Sequence, residues 1–298
     1  MTLLTAAVPP PLTWQRAVLG WRLEPVAALL VLFPAVLYLY GVRRARRAGH
    51  RWPVERTVAF GSGLGVIAVA TQSGLAVYDV VLFSVHMAQH MLLAMVAPLL
   101  LALGGPVTLL LRAGSPRARR ATARVVHSRP LAVVTHPAVG WLLFVTSPFA
   151  LYYTGLYEAS LRNAAVHQLV HVHLLLTGSV FLWPLVGADP VPHRLSYPFR
   201  MLGAVLTLPF HAFLGVAVMG SSTVLAADYY RELARPWGPT AIADQNAGGA
   251  LLWAAGDLVG LVLVGLLLVQ WMRGDVHVAA REDRRVDLAE AAAARARE

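Results

Sequence analysis

The chain has 298 residues, 57% of them hydrophobic and 13% charged, with a mean hydropathy of +0.60 and no cysteine. Soluble domains carry about 25% charged residues, so a water-soluble plan is excluded, along with intrinsic disorder, a disulfide scaffold and thiolate metal sites. The formal net charge of +10 rests on 25 arginines and no lysine. These cluster between hydrophobic runs, a pattern that orients a membrane protein rather than one that binds nucleic acid.

A helix crossing the hydrocarbon core needs about 20 apolar residues. Seven such runs are read in chain order: 25–40, 56–72, 80–103, 131–152, 163–186, 200–225 and 247–272. The pattern predicts an all-α polytopic membrane bundle with seven transmembrane helices. It comprises an N-terminal segment (1–24), a transmembrane domain (25–272) and a charged tail (273–298). The segment 1–24 has no basic region ahead of an apolar core, so a signal peptide is not expected. Gly61 and Gly65, four apart in span two, are expected to let helices approach closely. Pro34, Pro98, Pro184 and Pro209 are expected to kink their spans.

With seven spans, 20 of the 25 arginines fall on one side. They sit in the loops after spans one, three and five (Arg43 to Arg56, Arg112 to Arg129, Arg194 and Arg200) and in the tail. The positive-inside rule then places the N-terminus outside and the C-terminus in the cytoplasm. Six or eight spans would scramble this bias.

Ionisable groups within spans are costly and point to function. Span three carries His86 and His90 and span five carries His167 and His171; each pair is four apart and so on one helix face. His173 is turned away from its pair. His211 lies in span six near the midplane, and Asp257 lies in span seven. Spans three, five and seven run in the same direction, which places the two His-x-x-x-His pairs and Asp257 in one layer of the outer half of the bilayer. Imidazole suits copper, zinc and iron, and i, i+4 spacing lets two rings reach one ion. Asp257 can ligate directly or orient a histidine. Met87 and His173 are auxiliary candidates, and Met91 and Met95 read as apolar packing. Asp79, Glu158, Asp228 and Glu232 read as solvated loop charges that can draw in a cation. Tyr152, Tyr153, Tyr229, Tyr230 and Trp237 read as an interfacial aromatic belt. His50, His127, His136, His193 and His277 are expected to face solvent.

The run Val85-His86-Met87-Ala88-Gln89-His90-Met91-Leu92-Leu93, continuing to Pro98 and Leu103-Gly104-Gly105-Pro106, resembles the seven-span CtaG proteins. Asn163, His167-Gln168-Leu169-Val170-His171 and Pro209-Phe210-His211 are similar to the same family. These are bacterial assembly factors for copper-containing cytochrome c oxidase. The resemblance implies a multi-pass protein of the bacterial cell membrane, not an enzyme, that binds or relays copper to the oxidase catalytic subunit. It implies His86, His90, His167 and His171 as copper ligands, with His211 and Asp257 in support and Cu(I) as the expected ion. No cysteine or methionine-rich capture loop is present, so capture is expected to need an extracytoplasmic copper chaperone.

Three other readings remain at this point. A b-type cytochrome would use the same histidines as axial haem ligands. A metal or proton transporter would place them and Asp257 along its path, but no inverted repeat is visible. A metalloprotease lacks its His-Glu-x-x-His motif.

Overall fold

The computed structural model describes residues 8–295, with side chains described to Asp275. Among the described residues it is all helical, with no β-strand. In chain order the helices are α1 (Trp14–Leu19), α2 (Pro25–Arg47), α3 (Val54–Gln72), α4 (Leu75–Tyr78) and α5 (Phe83–Met91). After a π-helical turn (Leu92–Val96) come α6 (Ala97–Gly104), α7 (Pro106–Ala113), α8 (Pro116–Val126), α9 (Arg129–Val134) and α10 (Pro137–Tyr153). The remainder are α11 (Leu156–Arg162), α12 (Ala164–Val186), α13 (Tyr197–Val205), α14 (Leu208–Met219), α15 (Ala227–Leu233) and α16 (Ala241–Arg295).

Among the described residues six stretches are long and apolar enough to cross a membrane, and α10 with α11, bent by 69°, makes a seventh if the pair is one span. Leu29, Leu30, Phe33, Leu37, Leu258 and Leu261 are among many large apolar side chains on the outside. Water would not tolerate such a surface; lipid tails match it. The protein is a multi-pass membrane protein.

Several span boundaries differ from the sequence reading, each for a local reason. Span one runs on to Arg47, because arginines favour the C-terminal end of a helix and can reach water from it. Span four starts at Pro137, since Thr135 and His136 break the chain before a proline that suits the first helical turn. Span six runs 197–219 with a break at Leu206 and Thr207, where Pro209 cannot donate to the preceding turn. Span seven begins at Ala241, six residues earlier than read, and its helix continues to Arg295. His277 and the tail beyond Asp275 lie outside the described side chains.

Gly61 and Gly65 are not the close-approach residues, because both face open space. Gly63 between them packs on Leu101, where an added Cβ would lie 2.9 Å from Leu101 Cγ. Pro98 follows directly on the π-helical turn, whose wider winding absorbs a residue without a backbone N–H. The Leu103-Gly104-Gly105-Pro106 run is a corner. Gly104 sits against Phe60, Gly105 takes φ +61°, and Pro106 opens α7. Buried Asp189 accepts from the Val107 and Thr108 N–H groups (3.1 and 2.7 Å) at the start of α7, and from Trp183 Nε1 (3.1 Å).

At the opposite end, Asp244 of α16 caps α5. Its carboxylate accepts from Phe83 N (2.6 Å) and Ser84 Oγ. Asp244→Ala leaves the Phe83 N–H buried without a partner and should cost about 1–2 kcal/mol. The expected readout is a lower thermal unfolding midpoint in detergent, with Asp244→Asn recovering part of it.

Candidate metal centre

Two helices begin side by side where the candidate histidines lie. The α12 N-terminus is capped by Asn163, whose side chain accepts from Ala165 N and Val166 N (2.9 and 3.3 Å). That cap fixes where α12 starts and puts His167 and His171 in its first two turns. His86 sits in the first turn of α5, about 4.5 Å along the axis from Phe83. Just before α5, the short α4 and the turn after it bring Asp79 back over the helix ends.

Asp79, His167 and His171 are all buried, and one ligand atom of each lies within 4.8 Å of the other two. His167 Nε2 is 2.8 Å from Asp79 Oδ2, and His171 Nε2 is 3.7 Å from the same oxygen. The two rings lie 4.4 Å apart between centroids. His171 Nε2 donates to Gln89 Oε1 (2.9 Å), and Gln89 Nε2 donates in turn to Ala70 O of α3 (2.8 Å). His86 stands beside this group, 6.4 Å from the His167 ring and 5.0 Å from the Tyr157 ring.

Five donor atoms here are buried with no hydrogen-bond partner: Asp79 Oδ1, both nitrogens of His86, and Nδ1 of His167 and of His171. Buried polar atoms are almost always paired, and an orphan calls for an explanation such as a missing ion. His167 and His171 each have one nitrogen held by a carboxylate or amide oxygen and the other free. Metal-ligating histidines are oriented in this way. The two imidazoles and the carboxylate form an N/O donor set that suits copper or zinc, with His86 beside it. Burial alone would raise the pKa of Asp79, which lies between spans, but His167 and His171 outweigh it and hold the carboxyl below its ordinary value. The carboxylate form is thereby favoured within the cluster itself.

The structure does not assemble all the residues read from the sequence. His90, one turn below His86, instead hydrogen-bonds Tyr152 (Nδ1 to Oη, 2.7 Å). His173 is exposed on the far face of α12 and meets Ser147 Oγ (2.9 Å). Met87 packs in the core beside Gly248 of α16.

The shared outer layer is corrected for Asp257. Because α16 begins at Ala241, Asp257 is sixteen residues in, about 24 Å along the axis. His211 packs against the backbone of its neighbour Gly256 and the ring of Phe144, with Nδ1 3.3 Å from Thr207 O. Asp257 Oδ1 is buried there without a partner. These two residues mark a separate, deeper polar spot.

Two further corrections concern Asp79 and the aromatic belt. Asp79 is 1% exposed and is not a solvated loop charge. Glu158 and Glu232 pair with Arg162, and Asp228 pairs with Arg231. Tyr152, Tyr157 and Tyr229 are buried, and Tyr157 and Tyr230 share a 2.7 Å hydrogen bond; only Tyr153 of the expected belt is largely exposed. Tyr152 of α10 and Tyr157 of α11 lie 6.0 and 5.0 Å from the His86 ring, and the 69° bend that brings α11 there is one that periodicity does not reveal. Asp79 left no periodic trace, because a turn with Leu82 in extended conformation separates it from α5. Gln89, a polar residue between His86 and His90 in an apolar run, was visible.

The N-terminal segment covers this end. Pro10 O accepts from Tyr78 Oη (2.7 Å), Pro9 O accepts from Trp237 Nε1 (2.8 Å), and α1 packs on Gly74. His50, His127, His136 and His193 are exposed, as expected.

Comparison with known proteins adds an independent line. Residues 36–274 match the family model described as cytochrome c oxidase caa3 assembly factor. An uncharacterised protein of Mycobacterium leprae is 39% identical over 287 residues, covering 94% of this chain and 44% of the relative. Uncharacterised proteins of Mycobacterium bovis and Mycobacterium tuberculosis are each 38% identical over 287 residues, covering 94% of this chain and 43% of theirs. The chain thus spans less than half the length of the curated relatives it matches. No solved structure matches it.

Proposed function

The chain belongs to the cytochrome c oxidase caa3 assembly factor family, and from that premise we propose that it holds copper in the membrane and passes it to the oxidase catalytic subunit. The observation that carries this reading is the set of five unpartnered buried donor atoms on Asp79, His86, His167 and His171. An assembly factor for a copper enzyme has a use for such a set.

The cargo chemistry follows from the side chains. The imidazoles of His86, His167 and His171 can hold Cu(I) by themselves. Asp79 then acts as the fixed anion that draws the cation in and as the hydrogen-bond acceptor that orients His167. Gln89 does the same for His171. If the arginine-rich loops face the cytoplasm, as the positive-inside rule requires, the site opens on the outer side, within reach of an extracytoplasmic copper chaperone. Delivery is lateral exchange from one histidine set to another at similar depth. The chain needs no covalent step for this and acts as a carrier rather than a catalyst. Tyr152, Tyr157 and Phe83 around His86 keep bulk water from the ion.

The test is made in cells. Bacteria whose own copy is replaced by the Asp79→Ala/His171→Ala variant should insert the protein normally yet assemble an oxidase depleted of copper and low in activity. An oxidase fully loaded with copper in those cells overturns the proposal. A Soret band in the purified wild-type protein would assign the histidines to haem instead.

A further inference from the structure

We propose that the arginine end of the bundle carries a binding site for an anionic phospholipid, with the headgroup on Arg194 and Arg200 and an acyl chain in the adjoining groove between α10, α12 and α13. The site lies at the opposite end of the bundle from the histidines.

Arg200 sits in the first turn of α13 and is 5% exposed, yet among the described residues only Nε of its five donors has a partner, Leu195 O at 2.9 Å. Its guanidinium lies against the Tyr197 ring, 5.1 Å from the centroid. The other side rests on Gly187, which ends α12 at φ +63° and where any Cβ would collide with the guanidinium. The fold thus reserves a place for this head group. Among the described residues no carboxylate pairs with Arg200 or with the exposed Arg194; every ion pair found involves other residues. The terminal nitrogens of Arg200, unlike the Trp141 indole nitrogen, are not fully enclosed, so an incoming anion can reach them and supply the counter-charge that no described carboxylate gives.

A cavity of about 630 Å³ opens onto these groups, lined by Arg194, Ser196, Tyr197, Arg200 and Trp271. Its wall at Leu195 is shared with a second, apolar groove of about 340 Å³ that runs past Trp141, Phe181, Leu202 and Gly203. Trp141 Nε1, in the wall of that groove, is buried and has no partner. Trp141 lies one turn from the start of α10, near the arginine end of its span. Two cations, a hydroxyl, an indole donor and then an apolar trough follow the order of phosphate, ester and acyl chain in a phospholipid. Basic pockets between transmembrane helices are known anionic-lipid sites. A soluble phosphate would use only the first part.

Native mass spectrometry of the full chain in detergent, with equal amounts of phosphatidylglycerol and phosphatidylcholine, tests the proposal. The wild type should retain phosphatidylglycerol preferentially. Arg194→Gln should cut that retention about fivefold, the worth of one arginine at an anionic surface. Gly203→Leu, which fills the groove and leaves both arginines in place, should weaken it as well. Arg200→Gln should lose most of it, but Arg200 also holds Leu195, so the exposed Arg194 decides. Equal retention of the two lipids by the wild type, or full retention by both Arg194→Gln and Gly203→Leu, overturns the proposal. Complete displacement by glycerol 3-phosphate also overturns it, in favour of a small-phosphate site.

Discussion

Replacing His167 and His171 together with alanine should strip purified protein of copper, from near-stoichiometric binding to background, while the protein remains folded in detergent. Both rings belong to the cluster in which one ligand atom each of Asp79, His167 and His171 lies within 4.8 Å of the others. Both also carry an unpartnered Nδ1. Asn163 still caps α12 in the variant, so the helix should form. His86→Ala should weaken binding too, since both its nitrogens are free for an ion. Gln89→Ala acts one step away, through the orientation of His171, and should lower affinity about 10–100-fold. His90→Ala is the informative control. Its Nδ1 is held by Tyr152 and it lies outside the Asp79, His167 and His171 cluster, so copper should stay bound. Metal analysis after dialysis reads all of these. Loss of copper in His90→Ala with retention in the double variant would move the centre to another part of the bundle.

The second large effect is expected at Gly178. This residue brings α12 against the π-helical turn after α5 so closely that an added Cβ overlaps the Ala94 carbonyl oxygen and lies 2.8 Å from its carbon and 3.0 Å from Pro98 Cγ. A backbone carbonyl cannot step aside as a flexible side chain can. Gly178→Leu must therefore push α12 off its neighbour, at a cost of about 1–3 kcal/mol or more. Because α12 also carries His167 and His171, copper affinity should fall along with the thermal midpoint. Gly61 faces open space, so Gly61→Ala should leave the midpoint unchanged or raise it slightly through better helix propensity. A Gly178→Leu protein that melts with the wild type would show that the helices pack less closely there.

Much of the architecture was legible because lipid imposes simple rules. Every backbone N–H and C=O in the bilayer must be satisfied within its own segment, so runs of about 20 apolar residues were bound to be helices. The resemblance in the Val85 to Pro106 run named the family, and the match over 36–274 shows it. Boundaries were less visible, because helices here run past the apolar stretch: α2 continues through its arginines and α16 starts six residues early. That early start moved Asp257 a good way down the bundle and separated it from the outer histidines.

Helical spacing by itself determined that His86 shares a face with His90, and His167 with His171, since 3.6 residues per turn is a local property of the backbone. Which members of those pairs meet was decided only by the tertiary structure. The way α5, α10 and α12 pack gives His90 to Tyr152 and turns His86 towards His167. The turn after α4 swings Asp79 under the α12 N-terminus, burying a residue that composition alone assigned to water. Such contacts join residues 88 positions apart. No periodicity spans that distance, because it is set by the mutual fit of helices whose apolar faces, taken singly, would accept more than one neighbour.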